Sequence, residues 1–179
     1  MELFHFFKSK NSNDGVVSTT FEHKFSITES YWDNRPKYSI FDDDGKEKYV
    51  LKTKGTRQSP CLVLYSTDGD KICYVKSHNG FLSSWTYKIY CQNNHIEDVK
   101  REQSVDEVFQ IKKLKWFVSR KLFQLSYLVT DQLNQTVCRI HDNQIDYNSS
   151  ENEIWYLIVF MIIKSIDLSR NIDIKNTEV

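Results

Sequence analysis

The reading turns on E-N-E-I-W-Y-L-I-V-F-M-I-I-K-S, residues 151–165. Ten consecutive apolar residues, Ile154 to Ile163, stand here between Glu153 and Lys164. A helix that crosses a bilayer needs about 20 apolar residues. The run supplies half of that, and its continuation through Ile166 and Leu168 is broken by Lys164 and Asp167. A charge near the centre of a spanning helix costs roughly 2.5–3.5 kcal/mol on insertion scales. A shorter helix that is apolar on every face belongs inside a protein; a buried strand is the alternative. Start signals favour the helix: Asn148, Ser149 and Ser150 are cap-type residues, and Glu153 stands three beyond Ser150 as in a capping box. Acids fall in the first turn and Arg170 near the end, as the helix dipole prefers. The pattern predicts a core helix over about 152–168, packed through Ile154, Leu157, Ile158, Met161 and Ile162.

Such a helix needs a wall around it, and the rest of the chain can make one. Y-S-I-F-D-D-D-G-K-E-K-Y-V-L-K ends at Lys52, L-V-L-Y-S-T-D-G-D-K-I-C-Y-V-K at Lys76, and Y-K-I-Y-C-Q-N-N-H-I-E-D-V-K at Lys100, a spacing of 24 residues each time. Each block is an alternating run, a polar turn and a second alternating run. Asp-Gly at 44–45 and 68–69 accepts the positive φ of a tight hairpin turn. A fourth block runs from Phe123 to His141. A meander of hairpins must close or stack to hide its edges, and each alternating strand needs one buried face. A closed antiparallel barrel around the apolar C-terminal helix meets both demands, so the expected class is mainly β.

Size and composition agree. The 179 residues make one domain, 1–179, with 1–15 and 171–179 expected to be flexible ends. Hydrophobic residues are 40% and charged residues 27%, an ordinary globular balance, and 11 Phe, 10 Tyr and 4 Trp favour strands. Lys plus Arg equals Asp plus Glu at 24 each, so no global field draws nucleic acid, and none is expected as a partner. Cys61, Cys73, Cys91 and Cys138 form no CxxC pair and read as free thiols of a reducing compartment. M-E-L-F-H-F-F-K-S-K has no apolar core of export length, so the expected location is cytoplasmic.

The hairpin string Y-x-I-x-D-x-x-G-x-x-x-Y-x-V-K, then G-D-x-I-x-x-V-K, then Y-x-I-Y, closed by an apolar C-terminal helix, resembles the tubby C-terminal-like superfamily. That superfamily includes the LURP-one-related proteins, their small bacterial relatives and the phospholipid scramblases. The resemblance covers residues 38–168 and rests on order and pattern. It implies about twelve strands closed around the central helix. It also implies several lipid-linked functions, from phosphoinositide binding to lipid movement. The first 30 residues match little of it, and the charged connector from Glu102 to Lys113 reads as room for a short helix.

Candidate chemistry is sparse. Asp42-Asp43-Asp44-Gly45 reads as a turn, since a Ca²⁺ loop needs alternate carboxylates and a later Glu. No nucleophile motif or phosphate loop is present, so no catalytic residue, metal or cofactor is expected. Basic residues gather twice. Lys52, Lys54 and Arg57 surround one connector; Lys112, Lys113, Lys115, Arg120 and Lys121 interleave with Trp116 and Phe117. Cations beside aromatics suit an anionic membrane surface. The structural reading of the second cluster is a strand with Leu114, Trp116 and Val118 inward and Lys113, Lys115 and Phe117 outward. The leading expectation is a non-enzymatic module that holds an anionic phospholipid headgroup at a membrane surface. The alternative is a protein-interaction or immunity-type inhibitory protein using the outer barrel, with Tyr31, Trp32 and Trp85 as its aromatic patch.

Overall fold

The computed structural model describes residues 20–56, 59–79, 85–101, 107–120 and 126–175, with the side chains of Asn79, Glu107 and 170–175 excepted. Twelve strands precede the helix. They are β1 (His23–Trp32), β2 (Arg35–Phe41), β3 (Glu47–Thr56), β4 (Ser59–Ser66), β5 (Lys71–Asn79) and β6 (Trp85–Cys91). β7 (Asn94–Lys100), β8 (Glu107–Ile111), β9 (Trp116–Arg120), β10 (Ser126–Thr130), β11 (Thr136–His141) and β12 (Gln144–Tyr147) follow. One 3₁₀ turn, Ser150–Asn152, leads into α1 (Glu153–Lys175). The strands form one antiparallel sheet in the order β7-β6-β5-β4-β3-β2-β1-β12-β11-β10-β9-β8. Pairing of β1 with β12 joins the two halves, and among the described residues a bridge between Arg101 and Phe109 links the two outer ends of the sheet. The barrel is thus nearly closed, as the hairpin pattern required.

Local chemistry explains the turns. Asp33 and Asn34 take φ of 51° and 57°, and Gln92 and Asn93 take 49° and 66°. Positive φ at both central positions gives the primed turn whose twist matches the strands. The Asp42 carboxylate accepts the backbone N–H groups of Asp44 and Lys46 at 3.1 and 2.9 Å, which makes the acidic run an Asx turn. Asp131 does the same for Leu133 and Gln135.

The core is the helix and the inward face of the wall. Tyr156 to Ile163 are all buried, with Leu157, Ile158, Met161 and Ile162 at 0% exposure. Around them lie Phe25, Ile40, Leu51, Leu64, Val75 and Ile89, one from each of six neighbouring strands. Each such side chain is worth about 1.5–3 kcal/mol when taken from water. At the helix start Tyr156 stacks on Trp116 with centroids 5.1 Å apart, and Tyr147 lies 5.0 Å away.

Several expectations need correction. Ile154 is only partly buried, because it lies in the first turn at the barrel mouth. The helix runs to Lys175 rather than 168. The capping box does not form: Ser150 opens the 3₁₀ turn, and the Glu153 N–H donates to the Ser150 carbonyl rather than to its hydroxyl. Glu153 reaches across to Lys48 of β3 instead, at 2.8 Å. The first hairpin, β1–β2, lies where little was expected, and Phe25 and Ile27 supply its inward face. Of the connector from Glu102 to Lys113, where a short helix was expected, residues 107–111 are a strand, since Phe109 and Ile111 alternate into the core, and residues 102–106 lie outside the described residues. Trp116 and Val118 do point inward, but Leu114 and Lys115 belong to a turn, where Lys115 has φ 54°. Residues 1–15 and 176–179 lie outside the described residues.

Candidate anion-binding face

Alternation along β2, β3 and β4 turns Lys37, Lys52, Lys54 and Tyr65 outward while Tyr38, Leu51 and Leu64 face the helix. Register then decides who meets whom. Lys37 lies directly opposite Lys52, and Val50 opposite Tyr65. Trp32, at the end of β1, joins this face. Together with residues of the β4–β5 turn these side chains line a groove of about 260 Å³. The lining holds three lysines and no carboxylate.

Aromatic rings position the ammonium groups without neutralising them. Lys52 Nζ sits 5.3 Å from the ring centroids of both Trp32 and Tyr65. Lys54 Nζ is 5.4 Å from the Tyr65 ring and donates to its hydroxyl at 2.7 Å. Cation–π contacts of this kind contribute about 0.5–1 kcal/mol at exposed sites. Like charges directly opposite on a sheet destabilise it. The pattern recurs on the same outer face, where Lys76 faces Lys88. Among the described residues no carboxylate forms an ion pair with Lys37, Lys52, Lys54, Lys76 or Lys88. Val63, outward yet only 5% exposed, lies between Lys52 and Tyr74 in register and gives the face an apolar floor.

The predicted basic residues divide. Lys52 and Lys54 lie in the groove; Arg57 and Lys121 lie outside the described residues. Lys112, Lys113 and Lys115 occupy the β8–β9 turn, at the barrel end where α1 begins. There the Glu97 carboxylate accepts the backbone N–H of Lys112 at 2.6 Å and of Lys113 at 3.2 Å. Lys113 Nζ lies 5.9 Å from the Trp155 ring. Arg120 is at the far end of β9, and a strand rises about 3.3 Å per residue, so it cannot share a headgroup with the turn lysines. Arg120 lines a separate cavity of about 220 Å³ with Lys164, Asp142 and Asp167, a mixed set of charges. The second sequence cluster is therefore split between the two ends of the barrel.

Of the groove residues, Lys37 had no part in the sequence expectations, and Trp32 was expected in an aromatic protein-binding patch rather than beside lysines. Their signal is Y-W-D-N-R-P-K, a hairpin tip that brings Trp32 and Lys37 beside β3. Tyr31 at 73% and Trp32 at 50% exposure make that tip openly aromatic. Trp85 does not join them, since it packs partly buried against the core. His23, His95 and His141 each meet an aspartate, Asp43, Asp98 and Asp146 respectively. Among the described residues no serine, threonine or cysteine side chain hydrogen-bonds these imidazoles. No group of three or more potential metal ligands occurs among the described residues.

Comparison with family models, with curated proteins and with solved structures returns no match. The geometry of the face therefore carries the functional argument by itself.

Proposed function

We propose that this chain is a non-enzymatic binding module of the tubby C-terminal-like type that recognises anionic phospholipid headgroups at a membrane surface. The observation that carries the reading is the groove of Lys37, Lys52 and Lys54, which excludes carboxylates and is walled by Trp32 and Tyr65. A lysine near an anionic surface contributes about 1 kcal/mol. Three supply about 3 kcal/mol, weaker than a millimolar complex. The exposed Tyr31–Trp32 tip supplies the second contact, since aromatic rings settle at the headgroup level. Attachment would be peripheral: no helix among the described residues is long and apolar enough to cross a membrane. A cytoplasmic location goes with this reading.

Sedimentation with phosphatidylcholine vesicles, and with vesicles that also hold phosphatidylserine or phosphoinositide, tests it. Binding to the anionic set alone, weakened by salt, is the expected result. Failure to bind either set removes the lipid reading. The exposed tyrosine and tryptophan at 31–32 then favour the second reading, a protein-interaction or immunity-type inhibitory protein.

A further inference from the structure

The four cysteines differ in their surroundings. Cys138 is fully buried, and burial pushes its thiol well up. Cys61 faces outward, half-buried, and burial raises its thiol too, against the pull of Lys76 and Lys54. Cys73 and Cys91 are different because the fold pairs them. They lie directly opposite each other on β5 and β6. The Gln92 N–H donates to the Ile72 carbonyl at 3.1 Å, one residue out on each strand. This marks Cys73 and Cys91 as a non-hydrogen-bonded pair, the antiparallel arrangement in which Cα atoms approach to about 4.5 Å and side chains come closest. A disulfide spans Cα separations of about 4.4–6.8 Å. Directly opposite residues send their side chains to the same face of the sheet, so the two thiols are neighbours.

Their roles are unequal. Cys73 is 0% exposed and remains a thiol. Cys91 is partly exposed, next to the tight turn at Gln92–Asn93. The hydrogen bond from Cys73 and the charge of Lys113 hold its thiol below the usual range, against the effect of burial. A partly exposed thiol held below its usual range, beside a second thiol, is the arrangement of a redox-sensitive pair.

We infer that Cys73 and Cys91 are a redox-active dithiol, which a peroxide converts to a cross-strand disulfide between β5 and β6. The Cys91 thiolate attacks one peroxide oxygen and the O–O bond breaks. Cys91 becomes a sulfenic acid, and the departing hydroxide leaves as water after taking up one proton. The Cys73 sulfur then attacks the Cys91 sulfur and displaces hydroxide, which leaves as water with the Cys73 proton. Two thiols are oxidised and one peroxide is reduced, giving one disulfide and two waters.

The test uses the whole folded chain and hydrogen peroxide. After oxidation, free thiols are alkylated, the protein is digested without reductant, and the peptides are mapped by mass spectrometry. The expected product is a peptide pair linked through Cys73 and Cys91 and released by dithiothreitol, with Cys61 and Cys138 alkylated once the protein is unfolded. Recovery of Cys73 and Cys91 as free thiols overturns the proposal. So does oxidation of Cys91 to a sulfinic acid without any cross-link. In the Cys73→Ala variant, peroxide should leave Cys91 as a sulfenic acid that a carbon-acid nucleophile traps; absence of that adduct denies Cys91 the role of first attacker. Neither result depends on lipid binding.

Discussion

Val159→Asp places a carboxyl group at the centre of the barrel. Val159 is 0% exposed, and Tyr156, Ile162 and Ile163, one helical turn away, are 1%, 0% and 2% exposed. Val159 and these neighbours belong to one core cluster of apolar and aromatic side chains. A fully buried carboxyl group has its pKa raised by up to about 3–5 units, at 1.36 kcal/mol per unit about 4–7 kcal/mol. Loss of the valine's own burial adds about 1.5–3 kcal/mol. The sum, about 6–10 kcal/mol, rivals the whole stability of a typical domain, about 5–15 kcal/mol. The variant should be unfolded or aggregated, while Val159→Ala, which deletes two methyl groups, should lose about 2 kcal/mol and still fold. Circular-dichroism melts and soluble yield read both. A soluble Val159→Asp protein melting where the parent melts would refute the claim that this helix is the barrel's core.

Gly55→Ala should destabilise the protein by about 1 kcal/mol or more, seen as a lower urea midpoint, because Gly55 has φ +79° and an added Cβ would lie 2.6 Å from the Ser59 carbonyl oxygen. An unchanged midpoint would contradict the close β3–β4 crossing. Alkaline pH should also unfold the chain. Burial first, helped by nearby acids, raises the phenols of Tyr38, Tyr49 and Tyr147 above their ordinary value, and burial raises Tyr156 to about 12. The unfolded chain loses these protons near pH 10 while the native one keeps them, so their stabilisation is complete below pH 10 and falls as pH rises from there. Phenolate absorbance should therefore lag in the native protein and appear together with loss of structure. Smooth titration of all the tyrosines near pH 10 with the fold intact would contradict their burial.

Residues 154–163 were legible as a core helix because they are apolar on every face while the run is too short to span a bilayer. The hairpins ending at Lys52 and Lys76 were legible because Asp-Gly marks their turns. The first hairpin was not, since Asp33 and Asn34 turn the chain without glycine. Its inward set is short, and the strand ends in the exposed Tyr31 and Trp32. The site was harder to read for a different reason. Alternation tells which face a lysine takes, but only register shows that Lys37 meets Lys52. The run from Lys112 to Lys121 looked like one cluster because neighbours in sequence seem close; a turn holds Lys112, Lys113 and Lys115 at one end of the barrel, and an extended strand carries Arg120 to the other. Cys73 and Cys91 lack any local signature because β5–β6 pairing alone brings them together.

The most direct test of the groove is a comparison of two charge reversals in vesicle binding. One is Lys37→Glu with Lys52→Glu and Lys54→Glu; the other is Lys112→Glu with Lys113→Glu and Lys115→Glu. All six side chains lie on the barrel's surface or in a turn, and matched melting temperatures would certify the folds. The account predicts that the first set abolishes salt-sensitive binding to anionic vesicles while the second retains most of it. Retained binding in the first set, with loss in the second, would place recognition at the β8–β9 turn and contradict the groove.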